Sequence, residues 1–211
     1  LVNPCPAFLD DATVFRDFPD HPDYNQQCAA QRSSVLSYLE SHEDVRVVIL
    51  TSAWATLASL VRHREGPILA RDAGIALIEE GLDRVVSRIS AFGGQVILLA
   101  DTPRLPIPDP SACAVAAVSP LLRDCPPDLG VLAWQNLVSS VRPIHRMLAE
   151  FAVKHPGTTA YFPDKYLCNE GHCSVDVNGE FLYRDGGHLR RNLSKEAVQQ
   201  LADQLRLAEL L

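Results

Sequence analysis

At 211 residues the chain is long enough for one domain with a sizeable core. Apolar residues make up 47% and charged residues 21%, the balance of a globular protein, and no apolar run reaches the roughly 18 residues of a membrane helix. Nineteen Lys and Arg against 26 Asp and Glu leave a net charge of −7 with no basic stripe, which argues against a nucleic-acid partner.

Residues 1–27 read as polar and irregular, with Pro4, Pro6, Pro19 and Pro22 interrupting regular structure. The opening Leu1-Val2-Asn3-Pro4-Cys5 lacks the basic flank and apolar core of a signal peptide. Helical spacing begins near Cys28, runs through Val35, Leu36 and Leu39, and ends at Ser41-His42-Glu43-Asp44. Val45-Arg46-Val47-Val48-Ile49-Leu50 has almost no alternation. Such a run predicts a central strand of a parallel sheet, covered on both faces. Thr51-Ser52-Ala53-Trp54 follows at its carboxyl end.

Residues 72–92 predict an amphipathic helix through Ile75, Leu77, Ile78, Leu82, Val85, Val86 and Ile89, stopped by Gly93-Gly94. Gln95–Ala100 predicts a second buried strand. A proline-rich loop, Asp101–Pro110, leads on to Cys113 and Cys125. Residues 130–154 look helical, with Pro143 expected to kink or split the run. Pro156-Gly157 breaks it, and Thr158–Phe162 predicts a third strand. Ser194 as N-cap and Glu196 in the first turn open a last helix reaching about Leu207.

Strand and helix alternate as in βαβ units. The expectation is a single α/β domain over 1–211, a three-layer α/β/α architecture around a mainly parallel sheet. Ligands in such sheets bind beyond the carboxyl ends of the strands. Three segments lie there: Thr51–Trp54, Asp101–Pro110, and the loop from Pro163 onward.

The six cysteines form three local pairs by proximity: Cys5 with Cys28, Cys113 with Cys125, Cys168 with Cys173. Fifteen connectivities are possible for six cysteines. All three intervals border segments rich in Pro, Asp, Asn or Gly, where disulfides staple loops, so an oxidising compartment is expected. Reduced thiols are one alternative. A zinc site at Cys168, His172 and Cys173 is another, but adjacent ligands at 172 and 173 suit a tetrahedral ion poorly. No metal and no cofactor is assigned.

In the third segment, Asp185-Gly186-Gly187-His188 places a carboxylate and an imidazole three residues apart. Gly186 and Gly187 are expected to turn the chain through positive φ. Asp185 would bond Nδ1 of His188, leaving Nε2 to take a proton from a serine hydroxyl. A surface turn carrying a solvated histidine is the plain alternative for these four residues.

The stretch from Cys168 to Leu189 resembles the end of SGNH-type, GDSL-like domains fused to acyltransferase-3 membrane proteins. There a short cysteine loop, here Cys168-Asn169-Glu170-Gly171-His172-Cys173, precedes a hairpin, here Asn178-Gly179. Leu182-Tyr183-Arg184-Asp185-Gly186-Gly187-His188-Leu189 follows the family's Leu-Tyr-x-Asp-x-x-His-Leu pattern. Upstream, Cys5-Pro6 with Cys28, the apolar strand before Ala53-Trp54, and Gly94 with its strand and proline-rich loop to Cys113 also fit.

The resemblance implies an SGNH-hydrolase-like fold and a Ser-His-Asp mechanism with Asp185 and His188 as catalytic residues. It implies transfer of an acyl group, with acetyl the expected one, to a hydroxyl of a cell-surface glycan. A carbohydrate esterase and a noncatalytic glycan-binding module are the alternatives. The implied partners are the glycan acceptor and an N-terminal integral membrane acyltransferase domain. The implied location is periplasmic or extracellular, tethered to the membrane. Trp54 stands where wider SGNH enzymes place an asparagine, and is expected to bind substrate through its N–H or ring face.

Two departures carry consequences. The sequence contains no Gly-Asp-Ser nucleophile block, and its first residues align beyond that block. The nucleophile is therefore expected before Leu1, with the first strand of the sheet missing and a gap left in the fold; a noncatalytic relative that binds glycan, and another alignment in which a different serine or none acts, are the alternatives. Ser33 and Ser34 fall inside the first predicted helix, and Ser52 at a strand end. The serine that often follows His-Leu is Arg190 here, which bears on the approach to the site or to the last helix. Arg104 and Asn136 are further polar groups available to a cleft.

Overall fold

The computed structural model describes residues 5, 6, 8, 13–15, 20–42, 44–107, 109, 110, 112, 113, 126 and 128–210. The architecture is three-layer α/β/α with a mainly parallel sheet, as the alternation of elements predicts. The chain divides into two compact units: Leu1–Ala100 with Pro143–Tyr161, and Asp101–Arg142 with Phe162–Leu211.

The first unit carries the parallel sheet. Its strands are β2 (Val47–Thr51), β4 (Gln95–Leu99) and β5 (Thr158–Tyr161), in that order across the sheet. These are the three apolar runs read from the sequence. In β4, Val96, Ile97 and Leu98 are all buried, the pattern of a strand covered on both faces. Strand β2 differs from its expectation. It lies at one end of the described sheet, and Ile49 is 47% exposed. An uninterrupted β-branched run marks strand preference without distinguishing a central strand from an edge. Val47 to Thr51 pair directly with Gln95 to Leu99, so the gap expected from an absent first strand does not occur between these strands.

Helix α1 (Tyr24–Ser41) starts four residues before Cys28, and α3 (Arg71–Ala91) matches the predicted 72–92 closely. Helix α3 buries Leu77, Ile78, Leu82, Val85, Val86 and Ile89 along one stripe and packs on β4. Each such side chain contributes about 1.5–3 kcal/mol when fully buried. Two pairing strands escaped the sequence reading. Strand β1 (Thr13–Phe15) runs antiparallel to β3 (Val61–His63), within and beyond a segment read as irregular. Three-residue strands are too short to show a period of two. Cys5 and Cys28 form a disulfide that ties the start of the chain to α1. Helix α2 (Trp54–Leu57) and α5 (Arg142–Lys154) complete this unit, and Pro143 lies in the first turn of α5, where a missing N–H is tolerated.

The second unit opens with the proline-rich segment after β4. Helix α4 (Leu129–Asn136) is capped by Asp128, whose carboxylate accepts a 3.0 Å hydrogen bond from the Val131 N–H. A π-helical turn, Leu137–Val141, then precedes Pro143, so the predicted helix is interrupted there by a π-turn without a break in helical backbone. After α6 (Asp164–Leu167) come two small hairpins, β6 (Cys168–Asn169) with β7 (His172–Cys173), and β8 (Asp176–Val177) with β9 (Glu180–Phe181). Cys168 and Cys173 face each other across the first and form a disulfide. Their thiols are therefore not zinc ligands. The His172 ring lies against Gly130 of α4, where a Cβ would stand 2.1 Å from Nε2, so a side chain there requires the half-exposed ring to move. The second hairpin turns at Asn178 and Gly179, both with positive φ, as the Asn-Gly pair predicts. Helix α7 (Lys195–Gln204) is capped by Ser194, which accepts from the Ala197 N–H at 3.1 Å, and it ends three residues earlier than expected. Cys125 lies outside the described residues, and with it the expected Cys113–Cys125 pair.

Candidate active site

Tyr183, just after β9, is fully buried and begins the segment that carries the aspartate and histidine. Its phenol donates a 2.8 Å hydrogen bond to the Pro103 carbonyl, and burial pushes its pKa up. Tyr183 also bridges to Leu189, so the five residues between them form a closed turn on the surface of the second unit. The Arg184 N–H donates to the His188 carbonyl at 2.8 Å across that turn.

Inside the turn, Asp185 and His188 meet. His188 Nδ1 donates to Asp185 Oδ1 at 2.8 Å and lies 3.0 Å from Oδ2. Because a carboxylate only accepts, this contact places the imidazole proton on Nδ1 and leaves a lone pair on Nε2. The ring is 70% exposed. Asp185 Oδ1 also accepts from the backbone N–H of Gly187 at 3.0 Å and of His188 at 2.9 Å. Oδ2 accepts from Arg184, Nη2 at 3.0 Å and Nε at 3.2 Å. Burial raises the Asp185 pKa, but the Gly187 N–H, the imidazole and the guanidinium outweigh it, and the carboxyl sits well below the usual carboxylate range. The pair thus has an oriented acceptor nitrogen backed by a firmly ionised carboxylate.

The two glycines of the turn work differently from their expectation. Neither has positive φ. Gly186 lacks a side chain because the Leu105 carbonyl oxygen lies 2.7 Å from where a Cβ would stand. The Leu105 N–H also donates to the Gly186 carbonyl at 2.9 Å. Gly187 is met more loosely, by the Arg104 guanidinium 3.0–3.3 Å from its Cβ position, a contact that a small shift of that side chain relieves. Close approach by the proline-rich segment, about 80 positions upstream, therefore selects glycine at position 186. That segment was among the three expected near the site, and Arg184, Tyr183, Pro103 and Leu105 are site-forming residues that the sequence reading did not assign.

The other expected residues fall as follows. Trp54 has no exposed surface; its indole N–H donates to the Leu99 carbonyl at 2.8 Å, and its ring lies 5.7 Å from that of Phe8. In this geometry it is a core aromatic of the first unit, with its one donor already used, and the substrate-binding role expected for it gains no support. Ser33 and Ser34 are exposed on α1, and the Ser34 hydroxyl donates to the Ala30 carbonyl. Ser52 is half-buried between β2 and α2. Asn136 ends α4. Arg190 donates to the Phe181 carbonyl and to Asn192, so it braces the approach to the last helix. No serine among the described residues of the second unit hydrogen-bonds His188.

A second histidine–carboxylate contact occurs in the first unit. His155 Nε2 lies 2.8 Å from Asp83 Oδ1 beside a cleft of about 460 Å³. Its Nδ1 is 2.8 Å from the Phe151 carbonyl and its ring stacks on Phe151. Both nitrogens are occupied, so this ring joins α5 to α3 and has no free lone pair for substrate.

The geometry can be set beside known proteins. A family model described as the SGNH domain fused to AT3 domains matches residues 2–204, running through both units. No curated protein matches the chain.

Proposed function

The chain belongs to the family of SGNH domains fused to AT3 domains, and on that premise we propose that it supplies the base and its orienter for acyl transfer to a cell-surface glycan. The observation that carries this reading is the 2.8 Å contact of His188 Nδ1 with Asp185, which leaves Nε2 on an exposed ring. A serine hydroxyl would attack the carbonyl carbon of an acyl donor, its proton passing to His188 Nε2. Asp185, ionised at any ordinary pH, stabilises the imidazolium that forms. His188 then gives that proton to the donor's leaving group as it departs, which leaves the acyl-serine ester. In the second half the glycan hydroxyl attacks that ester and passes its proton to His188, and His188 returns the proton to the serine oxygen as it leaves. The transferred group is most simply acetyl.

In this reading the domain works on the periplasmic or extracellular side, held at the membrane by its acyltransferase-3 partner. Family membership and the two disulfides among the described residues support that placement. No described helix is long and apolar enough to cross a membrane. Water in place of the glycan hydroxyl would make the same site an esterase.

The test is the O-acyl content of isolated surface glycan from cells expressing the full-length protein. His188→Ala is expected to abolish the acyl signal while the protein remains expressed. Unchanged acylation would overturn the reading. A glycan-binding module without chemistry is the second reading. It predicts glycan binding by this chain that His188→Ala leaves intact, together with unchanged acylation.

A further inference from the structure

An imidazole that is 70% exposed gains little orientation from packing. Its direction must come from the turn that carries it. That turn is gripped from one side by three consecutive residues, Pro103, Arg104 and Leu105. Pro103 is anchored through its carbonyl to the buried Tyr183 phenol at 2.8 Å. Leu105 is anchored through its N–H to the Gly186 carbonyl at 2.9 Å. Arg104 lies between these two anchors, which limits where its side chain can go.

From there its guanidinium meets Gly187. A Cβ on Gly187 would stand 3.0 Å from Nη2, 3.2 Å from Nε and 3.3 Å from Cζ of Arg104. Nη2 and Nε both stand nearer than Cζ, so the guanidinium presents its Nε–Nη2 edge to Gly187. The φ of Gly187 is not in the left-handed region, so conformation does not demand glycine there. A side chain there would have to displace the Arg104 guanidinium by a few tenths of an ångström.

We propose that Arg104 is a positioning residue for His188: its guanidinium, set edge-on against Gly187, holds the turn in the form that keeps the imidazole as the Nδ1–H tautomer. The proposal rests on the reading of His188 as the base. The link is short. Gly187 N–H and His188 N–H both donate to Asp185 Oδ1, the same oxygen that receives Nδ1–H. If Gly187 shifts, two of the donors that aim this carboxylate shift with it. The imidazole is then free to adopt the Nε2–H form, in which the nitrogen facing substrate carries a proton and cannot accept one. A lysine in place of Arg104 keeps the charge but lacks the rigid Nε–Nη2 edge, so it does not replace it.

The experiment is ¹⁵N NMR of the imidazole nitrogens of His188 in the 211-residue chain, at a pH where the ring is neutral. Nitrogen shifts report the tautomer directly, and a residue that merely stabilised the fold would not move them. Wild type is expected as Nδ1–H. Arg104→Met is expected to lower the ratio of Nδ1–H to Nε2–H on the order of tenfold, as for the loss of one ordinary hydrogen bond. Gly187→Ala, which displaces the guanidinium from the facing side, is expected to do the same, and Arg104→Lys to resemble Arg104→Met. Backbone amide spectra away from the turn should stay as in wild type. If Arg104→Met or Gly187→Ala keeps the wild-type tautomer in a folded chain, the proposal is wrong. The readout does not depend on acyl transfer, so failure here and failure of the proposed function are told apart.

Discussion

The Leu105 carbonyl oxygen fills the space that a Cβ on Gly186 would occupy, 2.7 Å from that position. A methyl group there must push apart two backbone segments that are also joined by the Leu105–Gly186 hydrogen bond. Gly186→Ala is therefore expected to cost about 1–3 kcal/mol, the usual range for overpacking a close contact. The melting temperature should fall accordingly. A melting temperature equal to wild type would show that the two segments separate freely.

The Tyr183 phenol and the Pro103 carbonyl form the buried anchor of the same contact. Tyr183→Phe removes the donor and leaves a desolvated carbonyl behind. The expected loss is about 1–3 kcal/mol, seen as a lower urea midpoint with an unchanged slope. The raised phenol pKa adds no pH dependence below the unfolded value of about 10, and above it stability falls as pH rises toward the folded value.

Arg184 is one of the groups that hold the Asp185 carboxyl below its ordinary range, after burial, which raises it, and beside the Gly187 N–H and His188, which lower it. A depressed folded pKa contributes stability above the unfolded value of about 3.9, and that contribution is lost as pH falls through the lower folded value. Arg184→Met removes one lowering partner. The carboxyl of Asp185 should then titrate at higher pH, closer to an ordinary aspartate, in a ¹³C carboxyl titration. An unmoved titration would mean that the exposed guanidinium is fully screened by solvent.

The Cys5–Cys28 disulfide closes a span of 23 residues and Cys168–Cys173 a span of 5. On chain entropy alone the longer loop gives about 3 kcal/mol and the shorter about 2. Replacing Cys5 and Cys28 together by serine should therefore lower denaturation midpoints more than replacing Cys168 and Cys173. The reverse order would point to the β6–β7 loop as a scaffold for α4 through His172 and Gly130.

Some of this was legible before any coordinates. Val96, Ile97 and Leu98 form an unbroken apolar run, and a buried parallel strand is what such a run makes. The stripe from Leu77 to Ile89 repeats at helical spacing, so α3 could be placed within a residue or two. Asn178-Gly179 names its own turn through positive φ at both residues. Ile49 looked equally buried but is half exposed, because a run of β-branched residues does not record how many neighbours the strand has. Trp54 shows a related limit. A tryptophan at a strand end reads alike whether it faces a ligand or the core, and only the Leu99 carbonyl bonded to its N–H decides.

The candidate site divides in the same manner. Asp185 and His188 are near neighbours in sequence, and their contact follows from a local turn. The reason for Gly186 and Gly187 is not local. It lies in Arg104 and Leu105, residues that a pattern of four amino acids cannot see. Local conformation suggested positive φ, whereas tertiary close approach is what excludes a side chain.

The central claim is that His188 acts as the proton acceptor in acyl transfer, and its most direct test is a rate. Transfer of an isotopically labelled acetyl group to isolated glycan should be measured for the full-length membrane protein and its His188→Ala variant at matched amounts. Removing a positioned general base is expected to slow transfer on the order of 10²–10⁴-fold, with the circular dichroism spectrum of the 211-residue chain unchanged because the ring is exposed. A variant that transfers acetyl at the wild-type rate would contradict the account.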